Sequence, residues 1–506
     1  MAESKGQKYV KHIVFSLLSR VIMFVLGIII PRLIIVNYGS GVNGLLSSVG
    51  DIFSYIALIE AGVGVAATQA LYKPLADNNR DQISGVLVAT RNYFRKLIKW
   101  YLIAMIGFAC VYPLITTSDF SYPLIFGIIF IQGFSNVLTY YFSSTLSQLL
   151  VADGREYASQ IISLGTFVLN SVLKIVLLSF DMSLIWVQCG YLIVNLLHIA
   201  VIALYVRRKY PWIDWNVTPA SNALAKRNKY LVNSVAWTVF SSTDTVLIAI
   251  FCGFAVTSIY SVYNLVFSNL SVIVVTFYSG MYFVLGQTFH ESKEKYVKLH
   301  TEIETILTGM SFAVFSTAYV LILPFVSLYT KGADIEYADA YLPILFCLVQ
   351  VLSNSRLLSG HVINVHNQPQ LINKDSVIEV CLNIIVSVIL VYFIGIYGVL
   401  VGTIVAMLYR SIRLIYVANR KLLNRSPYKT YMMYLANLLT FGGVMVFNHF
   451  IKPAITGYVS FVIYGVIYTA VLSAIYLTIN LVLNPGILST FKTLLKRNRK
   501  MQDMTT

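Results

Sequence analysis

The sequence predicts an all-α polytopic membrane protein: fourteen transmembrane helices, built as two six-helix lobes related by a parallel repeat, plus two extra C-terminal helices. Three observations carry this prediction. The chain of 506 residues is 58% hydrophobic and only 11% charged, where a soluble domain carries about 25% charged residues. Apolar runs of about 20 residues, each able to cross a hydrocarbon core about 30 Å thick, recur from end to end. Of the 37 Lys and Arg residues, 31 fall in alternate segments that share one side, two (Lys331 and Lys452) fall on the other, and four lie inside the runs. This is the positive-inside rule kept through every loop, and one missed or extra helix would scramble it. The net charge of +16 is therefore topology, and a nucleic-acid partner is not expected.

In chain order, a basic N-terminal dozen leads into the first run, 13–36. It is too long for a signal-peptide core and no small-residue cleavage site follows it, so it is expected to stay as a helix. The second run is 43–70. Residues 72–100 mix charge with an apolar stripe and predict a helix lying on the cytoplasmic surface. Runs at 97–116, 122–150, 157–179 and 183–206 complete an N-lobe, 1–206. The polar stretch 207–230 is the longest linker and the natural hinge. A C-lobe, 231–430, follows with runs at 231–252, 256–286, 303–329, 338–363, 375–394 and 397–418. Residues 431–506 add 431–451, 457–482 and a basic tail, so both termini are expected in the cytoplasm.

Self-comparison supports the two lobes. "YGSGVNGLLSSV" (38–49) aligns with "CGFAVTSIYSVY" (252–263), setting Gly39 against Gly253 at an offset of 214 residues. "LVADGREYASQIISLGTFVLN" (150–170) aligns with "INVHNQPQLINKDSVIEVCLN" (363–383), setting Asn170 against Asn383 at an offset of 213. Six spans separate the copies, so both lobes enter the membrane in the same direction, an arrangement in which transporters bind substrate between repeats.

Ionised residues at membrane depth are costly and mark functional sites by default. Eight qualify: Arg20, Arg32, Asp51, Glu60, Lys174, Asp244, Arg356 and Glu379. If the first two spans form an antiparallel hairpin, Arg20 lies level with Glu60 and Arg32 with Asp51, and such pairing offsets desolvation. At about 100° per residue both pairs cannot share one seam unless the helices bend. Pro31 and the run "AGVG" (61–64) can supply bends, so structural pairing and cavity-facing cations both stand. Arg356 lies about two turns inside its span. Lys174 is near enough to an end to snorkel. Asp244 sits among hydroxyls, as a transport-coupled or a neutral hydrogen-bonded acid. Glu379, His198 and His361 lie near cytoplasmic ends and read as interfacial. Polar runs in spans four and eight, Asn264 and Asn269 among them, either line a cavity or join helices.

The five cysteines are scattered without metal spacing. No phosphate-cradling G-x-x-x-x-G-K-[ST] loop, H-E-x-x-H or nucleophile elbow appears. Catalytic residues, a metal and a cofactor are therefore not expected, nor is enzymatic activity.

The segments "PRLIIVNYGSGVNGLLSSVGDIF", "GVGVAATQALYKPLA" and "LVADGREYASQIIS" resemble the polysaccharide-transporter branch of the multidrug/oligosaccharidyl-lipid/polysaccharide (MOP) exporter superfamily. Within it, the chain is most similar to Wzx-type flippases of lipid-linked oligosaccharide repeat units, which serve O-antigen or capsule assembly. The resemblance implies alternating access by two lobes around a central cavity in the bacterial cytoplasmic (inner) membrane. It implies an undecaprenyl-diphosphate-linked oligosaccharide as substrate and membrane lipids as surroundings, with a polysaccharide polymerase and chain-length regulator as candidate partners. On this reading Arg20, Arg32, Arg356 and Lys174 hold the diphosphate, while Asp51, Glu60 and Asp244 pair with them or couple an ion. A lipid II flippase and a drug/cation antiporter of the same superfamily are the alternatives, with a non-transporting membrane scaffold as a third.

Overall fold

The computed structural model describes residues 5–57, 63–116, 120–220, 238 and 242–485, with side chains from residue 22 onward except those of residues 65, 283, 290 and 369. The Arg20 side chain, Glu60, residues 221–230 of the linker and the basic tail lie outside the described residues.

All regular structure among the described residues is helical. The N-terminal helices are α1 (Lys5–Tyr38), α2 (Ser40–Ala57), α3 (Val63–Ala76), α4 (Arg80–Ile115), α5 (Tyr122–Phe142), α6 (Ser144–Ala152), α7 (Glu156–Ser179) and α8 (Leu184–Lys209). They are followed by a short apolar helix, α9 (Ser242–Phe251). Next come α10 (Phe254–Glu291), α11 (Lys293–Tyr329), α12 (Leu342–Val365), α13 (Asn373–Ile394), α14 (Ile396–Tyr416), α15 (Tyr428–Phe450) and α16 (Tyr458–Leu483). Eleven helices among the described residues are long and apolar enough to cross a membrane, and shorter apolar helices occupy 22–38 and 242–251. The chain is thus a multi-pass, all-helical membrane protein.

Two elements differ from the sequence reading. Residues 80–100 are not a separate surface helix: they run into the third span as the single helix α4, started by Asn79, whose side chain accepts from the Gln82 amide. The next proline is Pro113, so nothing in between breaks the helix. The fourth span stops at Phe142 and restarts as α6 after Ser143.

The chain divides into two compact units, 1–261 with 332–335, and 262–331 with 336–506. The division falls inside α10, so α9 and the first two turns of α10 pack with the N-terminal helices. In the first unit, Leu45, Val49 and Ile52 of α2 meet Met105 and Tyr112 of α4 and Ile128 of α5, all buried. A Cβ at Gly44 would collide with the Phe254 carbonyl, so only glycine lets α2 approach the start of α10 so closely. Asp334, also of this unit, accepts from the Ser40 amide at 2.9 Å and so caps α2. Residues 210–220 are strapped to α4. The Ala220 amide donates to the Gly85 carbonyl at 3.0 Å, and Arg91 donates to the Trp215 carbonyl at 3.1 Å while lying over its ring. The aligned Gly39 and Gly253 each join two helices and share one left-handed backbone, with φ of 86° and 84°. That conformation favours glycine.

In the second unit α11 is central, burying Ile303, Leu307, Phe312, Phe315 and Ile322. The two helices beyond the repeat are joined to it by polar contacts. Ser316 and Tyr476 share a 2.6 Å hydrogen bond, and Asn480 packs against Gly309. Asn437 donates to Asn480 at 2.9 Å and Asn480 returns a bond at 2.7 Å. Where lipid is as apolar as leucine, such bonds and close backbone approach take over from hydrophobic burial. The α13–α14 hairpin uses the second device. Gly395, at φ 57°, turns the chain, and Gly398 and Gly402 leave no room for a Cβ against Leu390 and Ser387.

Candidate functional site

The candidate site residues fall into three groups, each inside one unit. The first group is acidic. Asp51, on α2, meets the hydroxyls of Ser242 and Thr245 on α9. Asp244, from the same turn of α9, is only 5% exposed and accepts from the Tyr260 hydroxyl at 3.4 Å. Tyr55 and Thr243 share a 2.6 Å hydrogen bond beside them. The phenols of Tyr55 and Tyr260 lie within electrostatic reach of both carboxylates. Two acids that the sequence presents 193 positions apart thus share one cluster of neutral hydroxyls. Carboxylates in a low-dielectric interior are stabilised by such donors, and two of them together suit a proton or a small cation. Among the described residues, however, no group of three His, Cys, Asp or Glu side chains is arranged to hold a metal.

The second group holds cations of the first unit. Arg32 is half-buried on α1, directly after Pro31. Lys174, on α7, places its ammonium 5.5 Å from the Tyr191 ring centre, a cation–π contact that attracts a desolvated cation. One turn away, Asn170 lines a pocket of about 190 Å³ with Thr166, Tyr191, Asn195 and His198. Its Oδ1 is buried without a hydrogen-bond partner among the described residues. His198, expected at the interface, lines this pocket and meets Thr166 Oγ1 at 3.0 Å.

The third group lies where α12, α13 and α14 converge in the second unit. Arg356 pairs with Glu379 Oε1, and Arg410 Nε stands 3.5 Å from Glu379 Oε2. Their side chains are 14%, 10% and 9% exposed for Arg356, Glu379 and Arg410. Arg410 also donates to the Ile372 carbonyl at 2.9 Å. Nearby, Arg413 meets Asp375 at 3.1 Å, and Tyr409 donates to the same carboxylate at 2.8 Å. Glu379 is therefore a buried acid that bridges two arginines. Arg410 is a second buried cation that the sequence reading counted with the loop. The signal for it was its place inside α14, six residues before Tyr416, or about 9 Å of helix. Two guanidinium groups share one carboxylate, so the cluster keeps a surplus positive charge. His361 is buried too and meets the Tyr296 hydroxyl at 3.1 Å.

No protein-family model matches the chain, and no curated protein matches it. Solved structures do. One titled "Lipid II flippase MurJ, inward closed conformation" superposes with a TM-score of 0.67 at 13% identity, covering 92% of this chain and 98% of its own. An inward-facing MATE multidrug resistance transporter of the MOP superfamily gives 0.61 at 13% identity, covering 84% and 95%. A MATE structure in a bent conformation gives 0.52 at 14% identity, covering 88% and 97%.

Proposed function

We propose, from a fold shared with MOP-superfamily transporters, that this chain is a flippase for undecaprenyl-diphosphate-linked oligosaccharide repeat units. It would act by alternating access in the bacterial cytoplasmic membrane, with both termini in the cytoplasm, and serve O-antigen or capsule assembly beside a polymerase and chain-length regulator. The observation that carries this reading is the surplus of buried positive charge at Arg356, Glu379 and Arg410. A diphosphate drawn into low dielectric needs fixed cations, and arginine supplies planar, multidentate donors at every physiological pH. In this proposal Arg20, Arg32 and Arg356, with Lys174, engage the diphosphate, and Arg410 joins them. Glu379 would hold the arginines in place between cargoes.

The acids take the second role. Asp51, Asp244 and Glu60 would carry the coupling proton or cation. The Asp51–Asp244 cluster favours a second reading, a drug/cation antiporter, because a half-buried and a buried acid side by side attract a cationic cargo. Replacing Arg20 and Arg32 together by Gln separates the readings. The flippase proposal expects surface polysaccharide to vanish while folded protein persists, and full export by that variant would refute it. Rescue of a strain depleted of its lipid II flippase would instead move the cargo to the cell-wall precursor.

A further inference from the structure

A polar cavity lies away from these groups. It is a cavity of about 360 Å³ in the second unit, lined by Glu304, Arg425, Ser426, Lys429, Thr430 and Asn484 among others. Its walls are the first turns of α11, the turn that leads into α15, and the residue that ends α16. Each of these lies at the basic end of a membrane-crossing helix, which sets the cavity at the depth of lipid headgroups rather than of acyl chains. Lys293, Lys295, Lys298, Arg420 and Lys421 stand on the same end.

The charges inside it are unequal. Arg425 is held rigidly: it donates to Glu304 Oε2 at 2.9 Å and to His300 Nδ1 at 3.2 Å, and also bonds Asn419 and Thr301. Thr430 donates to the other oxygen of Glu304 at 3.3 Å. The one carboxylate among the described lining residues is therefore spent on Arg425. Lys429 stands exposed at the rim and makes no ion pair among the described residues, beside the exposed Ser426. Asn484 donates to Thr305 at 3.0 Å, and Met433 and Val297 supply apolar surface. The volume falls within the range of small-ligand sites, which pair apolar walls with a few placed polar groups.

We propose that this cavity binds the phosphate headgroup of an anionic membrane lipid. Basic pockets between transmembrane helices on the basic side of a membrane recognise such headgroups. The lipid would seat α15 and α16, the two helices outside the repeat, against α11. This site is separate from the cargo cations, so its fate does not depend on the flippase proposal.

The test uses the full chain purified in detergent, with native mass spectrometry counting retained lipid after mixing with phosphatidylglycerol or phosphatidylcholine micelles. The wild type is expected to retain phosphatidylglycerol in preference. Lys429→Gln is expected to weaken that retention by about fivefold, the effect of one basic charge near a membrane surface, and Ser426→Asp at least as much. Lys452→Gln, an exposed lysine at the opposite ends of the helices, should leave it unchanged. Equal retention of the two lipids, or Lys429→Gln behaving like Lys452→Gln, overturns the proposal. Inorganic phosphate that stabilises the lipid-free protein as well as phosphatidylglycerol does would also overturn it, by making free phosphate the ligand.

Discussion

Replacing Glu379 by Gln removes the single carboxylate between two buried arginines. Because all three side chains are at most 14% exposed, solvent supplies little compensation. Removing one partner of a buried ion pair costs about 3–5 kcal/mol, most of it the desolvation of the charge left behind. For a unit of this size that corresponds to a melting temperature lower by about 10 °C. Fluorescence-detected size-exclusion after heating measures the shift. The triple variant Arg356→Gln, Glu379→Gln, Arg410→Gln removes the Arg–Glu–Arg cluster, leaves Asp375 to Arg413, and should regain most of that loss. If the cations serve cargo, the triple variant is folded yet exports no polysaccharide. A Glu379→Gln protein melting within about 2 °C of wild type would refute the electrostatic reasoning. A triple variant with full export would show that the cluster is structural.

The helix-packing contacts make separate predictions. Gly402→Val should lose folded protein in the same size-exclusion measurement, since its Cβ would enter the space of Ser387 and overpacking costs about 1–3 kcal/mol. Asn480→Leu strips Asn437 of its partner and should cost about 1–3 kcal/mol. The Asn437→Leu, Asn480→Leu double variant should cost less than the sum, as a double-mutant cycle reads directly. Gly44→Val should prevent α2 from closing on Phe254, lowering yield far more than Gly50→Val, where nothing lies within 4 Å of an added Cβ. Asn replacements at Asp51 and Asp244 should preserve folding and abolish the dependence of export on an imposed ion gradient, measured in energised vesicles.

Much of the helical plan was legible because it rests on local signals. Apolar length marks the crossings, eleven of which are among the described residues. The correspondence of Gly39 and Gly253 was legible, because their left-handed turns leave a mark in residue type. The continuity of α4 was not, because Arg91, Arg95, Lys96 and Lys99 make its first half look like a surface element. Charge alone does not end a helix; a breaker does, and none stands there.

The candidate site was legible only as a set of misplaced charges. Arg356 stands out in an apolar run, whereas Glu379 and Arg410 lie close enough to helix ends to read as solvated. Their burial depends on three helices converging, which is a non-local fact. Asp51 and Asp244 were each visible, but their shared hydroxyl cluster needs α2 beside α9. The cavity around Arg425 was invisible for the same reason: its lining comes from residues 297–304, 425–433 and 484, three segments with no common motif.

The central claim is that arginines within the membrane-crossing helices hold a diphosphate-linked glycan during its translocation. The most direct measurement reconstitutes the purified chain in liposomes carrying a fluorescent undecaprenyl-diphosphate oligosaccharide and follows its loss from one leaflet by quenching. The account predicts protein-dependent translocation that disappears in the Arg20→Gln, Arg32→Gln protein. Translocation undiminished by those substitutions, or a wild type that moves a cationic dye and not the lipid, would contradict it.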